Sequence, residues 1–240
     1  MPIFNPMLPH DCVLKSGRID IWQIQLQHEP PLASSYLNEQ ERERAQRFHF
    51  AHHRRRFTVA RAAVRIILGR YLACDPRQID FAYNAHGKPG IDGSDIQFNL
   101  SHSQELALFA VGIGYPIGID IEFFSARPYE GIGGQIFSSV ENEHLQNAPT
   151  FLKPLTFFHL WAQKEALIKA CGLGLSYPTK QFDLPGLPPA NQVITDPLYK
   201  NTWRVQSFMP TIESCAALCS SPDIEDIRFL RVNDLESLLK

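Results

Sequence analysis

Three things are scarce in this sequence of 240 residues, and each scarcity removes a class of protein. Charge of one sign is the first: 23 Lys and Arg stand against 25 Asp and Glu, a formal net charge of −2, so the chain as a whole lacks the positive field that nucleic-acid affinity requires. Cysteine is the second. Cys12, Cys74, Cys171, Cys215 and Cys219 are odd in number and form no C-x-x-C pair, which suits reduced, packing thiols better than a disulfide framework or a zinc site. Long apolar runs are the third. The stretch LALFAVGIG from Leu106 falls well short of the ~18–20 residues that cross a bilayer. At the amino terminus, MPIFNPMLPHD has no basic start followed by an apolar run, and Pro2, Pro6 and Pro9 break it into an extended segment. The expectation is a cytoplasmic protein with neither membrane nor nucleic acid among its partners.

Glycine loops for nucleotides are missing too. No G-x-x-x-x-G-K-[ST] occurs, and Gly112, Gly114 and Gly118 do not space as G-x-G-x-x-G. Ser101 is not in a G-x-S-x-G elbow, so the adjacent Ser101-His102 does not read as a catalytic pair.

What is present is a hydrophobic fraction of 44%, enough for one large core or two small ones. In FTVARAAVRIILGRYL, Phe57, Ala60, Val64, Ile67, Leu68 and Tyr71 recur at helical spacing and predict one apolar stripe. FFHLWAQKEALIKACG repeats the pattern with Phe157, Leu160, Trp161, Ile168 and Cys171, and Gly172 and Gly174 supply a stop. Similar charged stretches with polar caps, LNEQERERAQ and FSSVENEHLQ, precede the two helices, and the strand-like runs IDIWQIQL and ELALFAV have counterparts in TWRVQSF and SCAALCS. A duplication of roughly 100 residues follows, chance similarity between amphipathic helices being the alternative. The expected fold is α+β: two lobes related by a pseudo-twofold, each a small antiparallel sheet packed with helices. Gly114, Tyr115 and Pro116 mark the boundary, giving lobes of 1–116 and 117–240 with an active site in the cleft between them.

Candidate chemistry begins with Gly118-Ile119-Asp120-Ile121-Glu122. As a strand it buries Ile119 and Ile121 and places Asp120 and Glu122 on one side, where two carboxylates suit a hard cation such as Mg²⁺ or simply face solvent. Glu165 flanks the buried stripe of the second helix, four residues before Lys169. Lys164 projects into that stripe, where it must snorkel or meet an anion. The segment His52-His53-Arg54-Arg55-Arg56, with Arg61 and Arg65, is a dense basic patch suited to phosphate or to a solvated helix start.

Taken together, GIDIE at 118–122, WAQKEALIK at 161–169, FNLSHS at 98–103 and HGKP at 86–89 resemble the Sfp-type 4'-phosphopantetheinyl transferases. That resemblance is close over residues 86 to 182, and implies two α+β lobes with coenzyme A between them. It further implies that Asp120, Glu122 and Glu165 hold Mg²⁺ against the pyrophosphate of coenzyme A, and that Glu165 is the general base for the serine of an acyl or peptidyl carrier protein. Lys169 would neutralise the departing 3',5'-ADP, Lys88 and His102 would contact phosphates, and Ser101 would present His102 and touch the ligand. Arg56 and Arg44 would take the 3'-phosphate, and Lys164 is counted with the coenzyme A contacts. First-lobe lysines of the family are replaced here by Glu41 and Arg44, and a threonine by Phe57. A monomer is implied. Two rivals compete with transfer: a Mg²⁺-dependent nucleotide or pyrophosphate hydrolase, and a non-catalytic module that binds through the basic patch.

Overall fold

Apolar spacing sets the secondary structure of the first half of the chain. The computed structural model describes residues 1–6, 12–125, 130–196, 198–232 and 235; Pro9 of the expected extended segment lies outside them. After a short β1 (Asn5–Pro6), the strand β2 (Arg18–Gln25) leads into α1 (Glu39–Gln46) and the long α2 (Ala51–Leu72). A small hairpin, β3 (Ala82–Tyr83) and β4 (Pro89–Gly90), precedes β5 (Ile96–Ser103) and β6 (Leu106–Ile113). Past the turn at Gly114, β7 (Gly118–Phe123) opens the second half, followed by α3 (Glu130–Ile136), α4 (Ser139–Asn147) and α5 (Lys153–Cys171). Four strands close it: β8 (Asn191–Thr195), β9 (Thr202–Thr211), β10 (Ser214–Ser220) and β11 (Asp226–Val232).

The halves repeat one path. In the first, β2-α1-α2-β5-β6 folds so that β6 lies between β2 and β5; in the second, β7-α4-α5-β9-β10 places β10 between β7 and β9. ELALFAV and SCAALCS are thus equivalent strands. IDIWQIQL is equivalent to the acidic GIDIEF instead of TWRVQSF, which matches IQFNLSHS. Helix starts repeat as well: Asn38 and Glu41 form a capping box on α1, and Ser138 and Glu141 form one on α4. Each box glutamate also meets a cation from the long helix that follows, Arg65 at 2.7 Å from Glu41 and Lys164 at 3.0 Å from Glu141.

The three larger of the apolar clusters among the described residues position the site. One lies between α2 and the first sheet, with Trp22, Val64, Ile67 and Phe109; another lies between α5 and the second sheet, with Phe157, Leu160, Leu167 and Val205. A third joins the lobes through Ile21, Leu108, Ile119, Ile121, Ala216 and Leu218. The second sheet, β7-β10-β9-β8, is antiparallel throughout. The first, β1-β11-β2-β6-β5, gains two parallel strands, because β11 leaves the second half of the chain and pairs with β2 from Asp226 opposite Arg18 to Val232 opposite Ile24. The division at residue 116 therefore separates the sheets up to β10, and residues 226–232 cross back.

Candidate active site

The lobes meet where β5 runs beside β7, and polar side chains join them. Alternate residues of a strand face one side, so Asn99, Ser101 and Ser103 of β5 address β7 in turn. Asn99 Oδ1 accepts the Ile119 N–H at 2.8 Å, Ser101 Oγ donates to Asp120 Oδ1 at 2.7 Å, and Ser103 Oγ donates to Glu122 Oε2 at 3.1 Å. Both carboxylates of GIDIE are therefore aimed by the first lobe. Asp120 is 4% exposed, so it does not face solvent like an ordinary surface acid.

Gly118 brings α5 to the same place. A Cβ there would lie 1.9 Å from the Ala166 carbonyl oxygen and 2.4 Å from the Ala170 nitrogen, so only glycine lets the strand touch the helix backbone. The contact sets Glu165 and Lys169 beside the acidic strand. Lys169 Nζ donates to Asp120 Oδ1 at 2.5 Å and to Ser101 Oγ at 3.0 Å. Burial first, and then the charge of Asp120, pushes the Glu165 carboxyl above its usual range, with Lys169 opposing. His102 extends the site on the first-lobe side. Desolvation, followed by the positive charges of Lys169, Arg56 and His53, holds its imidazole below the ordinary value.

The remaining expected ligands divide. Arg44 lies over the Phe57 ring at 5.2 Å and, with His102, Asn99 and Leu100, lines a pocket on the first lobe. That pocket shares Gly87, Pro89, Asn99 and Leu100 with a second one reaching Lys169, so together they form one groove between the lobes. Arg56 and Arg55 both bond Glu105 Oε1, each at 2.8 Å at the closest. Lys88 reaches the groove floor but donates to the carbonyls of Ile117 and Ala170, both at 3.0 Å, and its burial draws the ammonium down to about 8. Lys164 requires correction: it is fully buried, pairs with Glu141, donates to the carbonyls of Thr179 and Phe182, and lies over the Phe182 ring, so it is closed to coenzyme A. The anion it meets is internal. Sequence reasoning overlooked Asn99 and Ser103, although the alternation of Asn, Ser and Ser in FNLSHS was the signal for both.

A divalent cation fits the residues present. The donors are carboxylate oxygens, Asp120 Oδ2 is buried with no hydrogen-bond partner among the described residues, and Glu165 is destabilised by Asp120. Both features are what an added positive charge relieves. Among the described residues, no three His, Cys, Asp or Glu side chains stand close enough together to hold a metal ion, so the fit rests on the chemistry of these carboxylates and on the partnerless Asp120 Oδ2.

Comparison with known proteins agrees with this geometry. The profile of the 4'-phosphopantetheinyl transferase superfamily matches residues 116–218, and that of the 4'-phosphopantetheinyl transferase N-terminal region matches 21–113, so the profiles meet at the lobe junction. The chain is 41% identical to 4'-phosphopantetheinyl transferase HetI of Nostoc sp. over 178 residues, 70% of this chain and 74% of that one. It is 34% identical to 4'-phosphopantetheinyl transferase gsp of Aneurinibacillus migulanus over 73% of each chain, and 34% identical to Sfp of Bacillus subtilis over 62% of this chain and 66% of that one. The cleft is thus that of a two-lobed, phosphopantetheine-transferring fold, and the chain belongs to the 4'-phosphopantetheinyl transferase superfamily.

Proposed function

We propose that this chain moves the 4'-phosphopantetheine arm of coenzyme A onto a serine hydroxyl of an apo acyl or peptidyl carrier protein and releases 3',5'-ADP. The observation that carries the reading is the lobe junction, where Ser101 and Ser103 of β5 bond Asp120 and Glu122 of β7, Lys169 of α5 meets Asp120, and Lys169 and His102 line the groove beside them. Asp120, Glu122 and Glu165 would hold Mg²⁺, which when bound supplies charge neutralisation and polarisation of the pyrophosphate. Glu165 takes the proton of the carrier serine, directly or through water, as the serine oxygen bonds the β-phosphorus and the bond to the bridging oxygen of 3',5'-ADP breaks. Lys169 offsets the charge that develops on the leaving phosphate. His102 and Arg44 hold the nucleotide end of coenzyme A in the first-lobe groove, with Arg56 second to them because Glu105 already engages it. Ser101 serves by aiming Asp120 and Lys169.

The carriers of fatty acid, polyketide and nonribosomal peptide synthesis share the acceptor serine chemistry, and a monomer acting in the cytoplasm suits cysteines that form no disulfide among the described residues. No helix among the described residues is long and apolar enough to cross a membrane. The basic patch gives little support to a binding module: Arg55, Arg56, Arg61 and Arg65 are all paired with Glu105 or Glu41.

Intact-mass measurement of apo carriers incubated with coenzyme A, with Mg²⁺ or with EDTA, tests the proposal. A gain of about 340 Da on a carrier in the Mg²⁺ arm alone, lost with Asp120→Ala, is expected. Free phosphopantetheine formed without a carrier would favour the hydrolase instead.

A further inference from the structure

The carboxyl end of α5 carries an unusual cap. The last carbonyls of any helix lack partners within it and form the negative end of its dipole. In α5 the Ile168 carbonyl is met locally by the Gly172 N–H at 2.9 Å. Two of the carbonyls that follow, those of Ala170 and Gly172, are met from the other lobe. Lys88 Nζ donates to the Ala170 carbonyl at 3.0 Å, and Asn84 Nδ2 donates to the Gly172 carbonyl at 2.8 Å. Lys88 also bonds the Ile117 carbonyl, at the residue before β7, so one ammonium ties the first lobe to both second-lobe elements that carry the site.

The turn that delivers these groups is itself fixed. Asn84 Oδ1 accepts the N–H groups of His86 and Lys88 at 2.9 Å each, and its backbone N–H and carbonyl bond the Lys88 carbonyl and Gly87 N–H at 3.0 Å. Gly87 takes the left-handed conformation the turn requires, at φ +83°. Packing on the helix side is close. Gly172 also has a positive φ, +69°, and a Cβ there would stand 3.0 Å from Asn84 Nδ2 and 3.2 Å from Lys88 Cδ.

We propose that Asn84 and Lys88 form a latch by which the first lobe grips the end of α5, and that Lys88 acts as a positioning residue for Lys169 and Glu165 and not as a phosphate ligand of coenzyme A. The kinetic half of this inference rests on the transferase reading. Ala170, whose carbonyl Lys88 holds, is next to Lys169, and Glu165 lies just over one turn back. A group that fixes the helix end acts on the chemical step, whereas a phosphate contact acts first on coenzyme A binding.

Two measurements on Lys88→Met and Asn84→Ala decide the matter: hydrogen exchange at amides 168–172 without substrate, and steady-state transfer with coenzyme A and with its 3'-dephospho form. The latch predicts faster exchange in both variants, kcat reduced about tenfold for Lys88→Met, KM for coenzyme A changed less than about twofold, and substantial recovery with Lys88→Arg. Unchanged exchange in both variants overturns the latch, and faster exchange with unchanged kcat overturns the positioning role. A KM for coenzyme A raised about tenfold, with the preference over the dephospho form lost, would instead make Lys88 a phosphate ligand. Exchange needs no substrate, so it decides the latch even if the wild-type chain transfers nothing, a result that would sink the functional reading alone.

Discussion

At the scale of single residues, the buried charges of the second lobe set the terms of stability. Glu141 and Lys164 both have side chains with 0% exposure, and Glu141 additionally accepts the N–H groups of Ser138 and Leu184. Removing one partner strands the other ion in an apolar core. Glu141→Ala should therefore cost about 3–5 kcal/mol in urea unfolding, while Glu141→Gln with Lys164→Met should recover much of that, because neither substitution then leaves an ion behind. His159 adds a pH dependence. It is fully buried on α5 against Ser207, and burial pulls its imidazole from 6.5 to about 4. Between those values the unfolded chain binds a proton that the folded chain refuses, so stability falls as pH drops from about 6.5 to about 4 and is flat above that window. The steepest loss is about 1.4 kcal/mol per pH unit, and His159→Asn should flatten it in urea titrations at several pH values. Lys164 was legible as a cation inside an apolar stripe that must either snorkel or meet an anion, and it was assigned to coenzyme A. Its partner was not legible, because Glu141 lies in another helix and reads as a cap residue.

The elements explain why the acidic motif begins with glycine. A methyl group at Gly118 meets helix backbone at 1.9 Å, and neither the Ala166 carbonyl nor the Ala170 nitrogen can swing aside as a side-chain tip would. Gly118→Ala must push β7 away from α5, so we expect a loss of about 3 kcal/mol by thermal or urea unfolding, and a fall in transfer activity beyond what the stability loss explains. Periodicity revealed α2, α5 and β7 in the sequence because each has an apolar face that repeats at its own spacing. It also found the stop at Gly172. What it could not reveal was the pairing between elements: that Asn99, Ser101 and Ser103 serve β7, or that Lys88 caps a helix of the other lobe. Those contacts join residues 19 or more positions apart, and no local period encodes them.

For the molecule as a whole, the carboxyl-terminal strand decides whether the first lobe is complete. The sequence pointed to a duplication and to a boundary expected near residue 116, which left 226–232 with the second lobe, since a strand's alternation says nothing about which sheet receives it. Leu230 and Val232 instead fill the first core, beside Trp22 and Ile24. Asp20 fastens the strand there. Its carboxylate, 3% exposed as a residue, accepts from Arg228 Nε and Nη2 at 2.8 Å each and from the Tyr71 hydroxyl at 2.6 Å, and Tyr71 in turn accepts from Trp22 Nε1 at 3.1 Å. One acid thus joins β2, α2 and β11, across 208 residues in the case of Arg228. Asp20→Ala removes the buried carboxylate that Arg228 and the Tyr71 hydroxyl share, so the first lobe should lose about 3 kcal/mol. The loss should appear as a lower urea midpoint and as early proteolytic release of the segment after residue 224, before any cut in α5. If cuts in α5 come first, the two lobes do not depend on β11 in the way its pairing with β2 requires, because a strand shared between lobes must loosen before the helix of the lobe it has left.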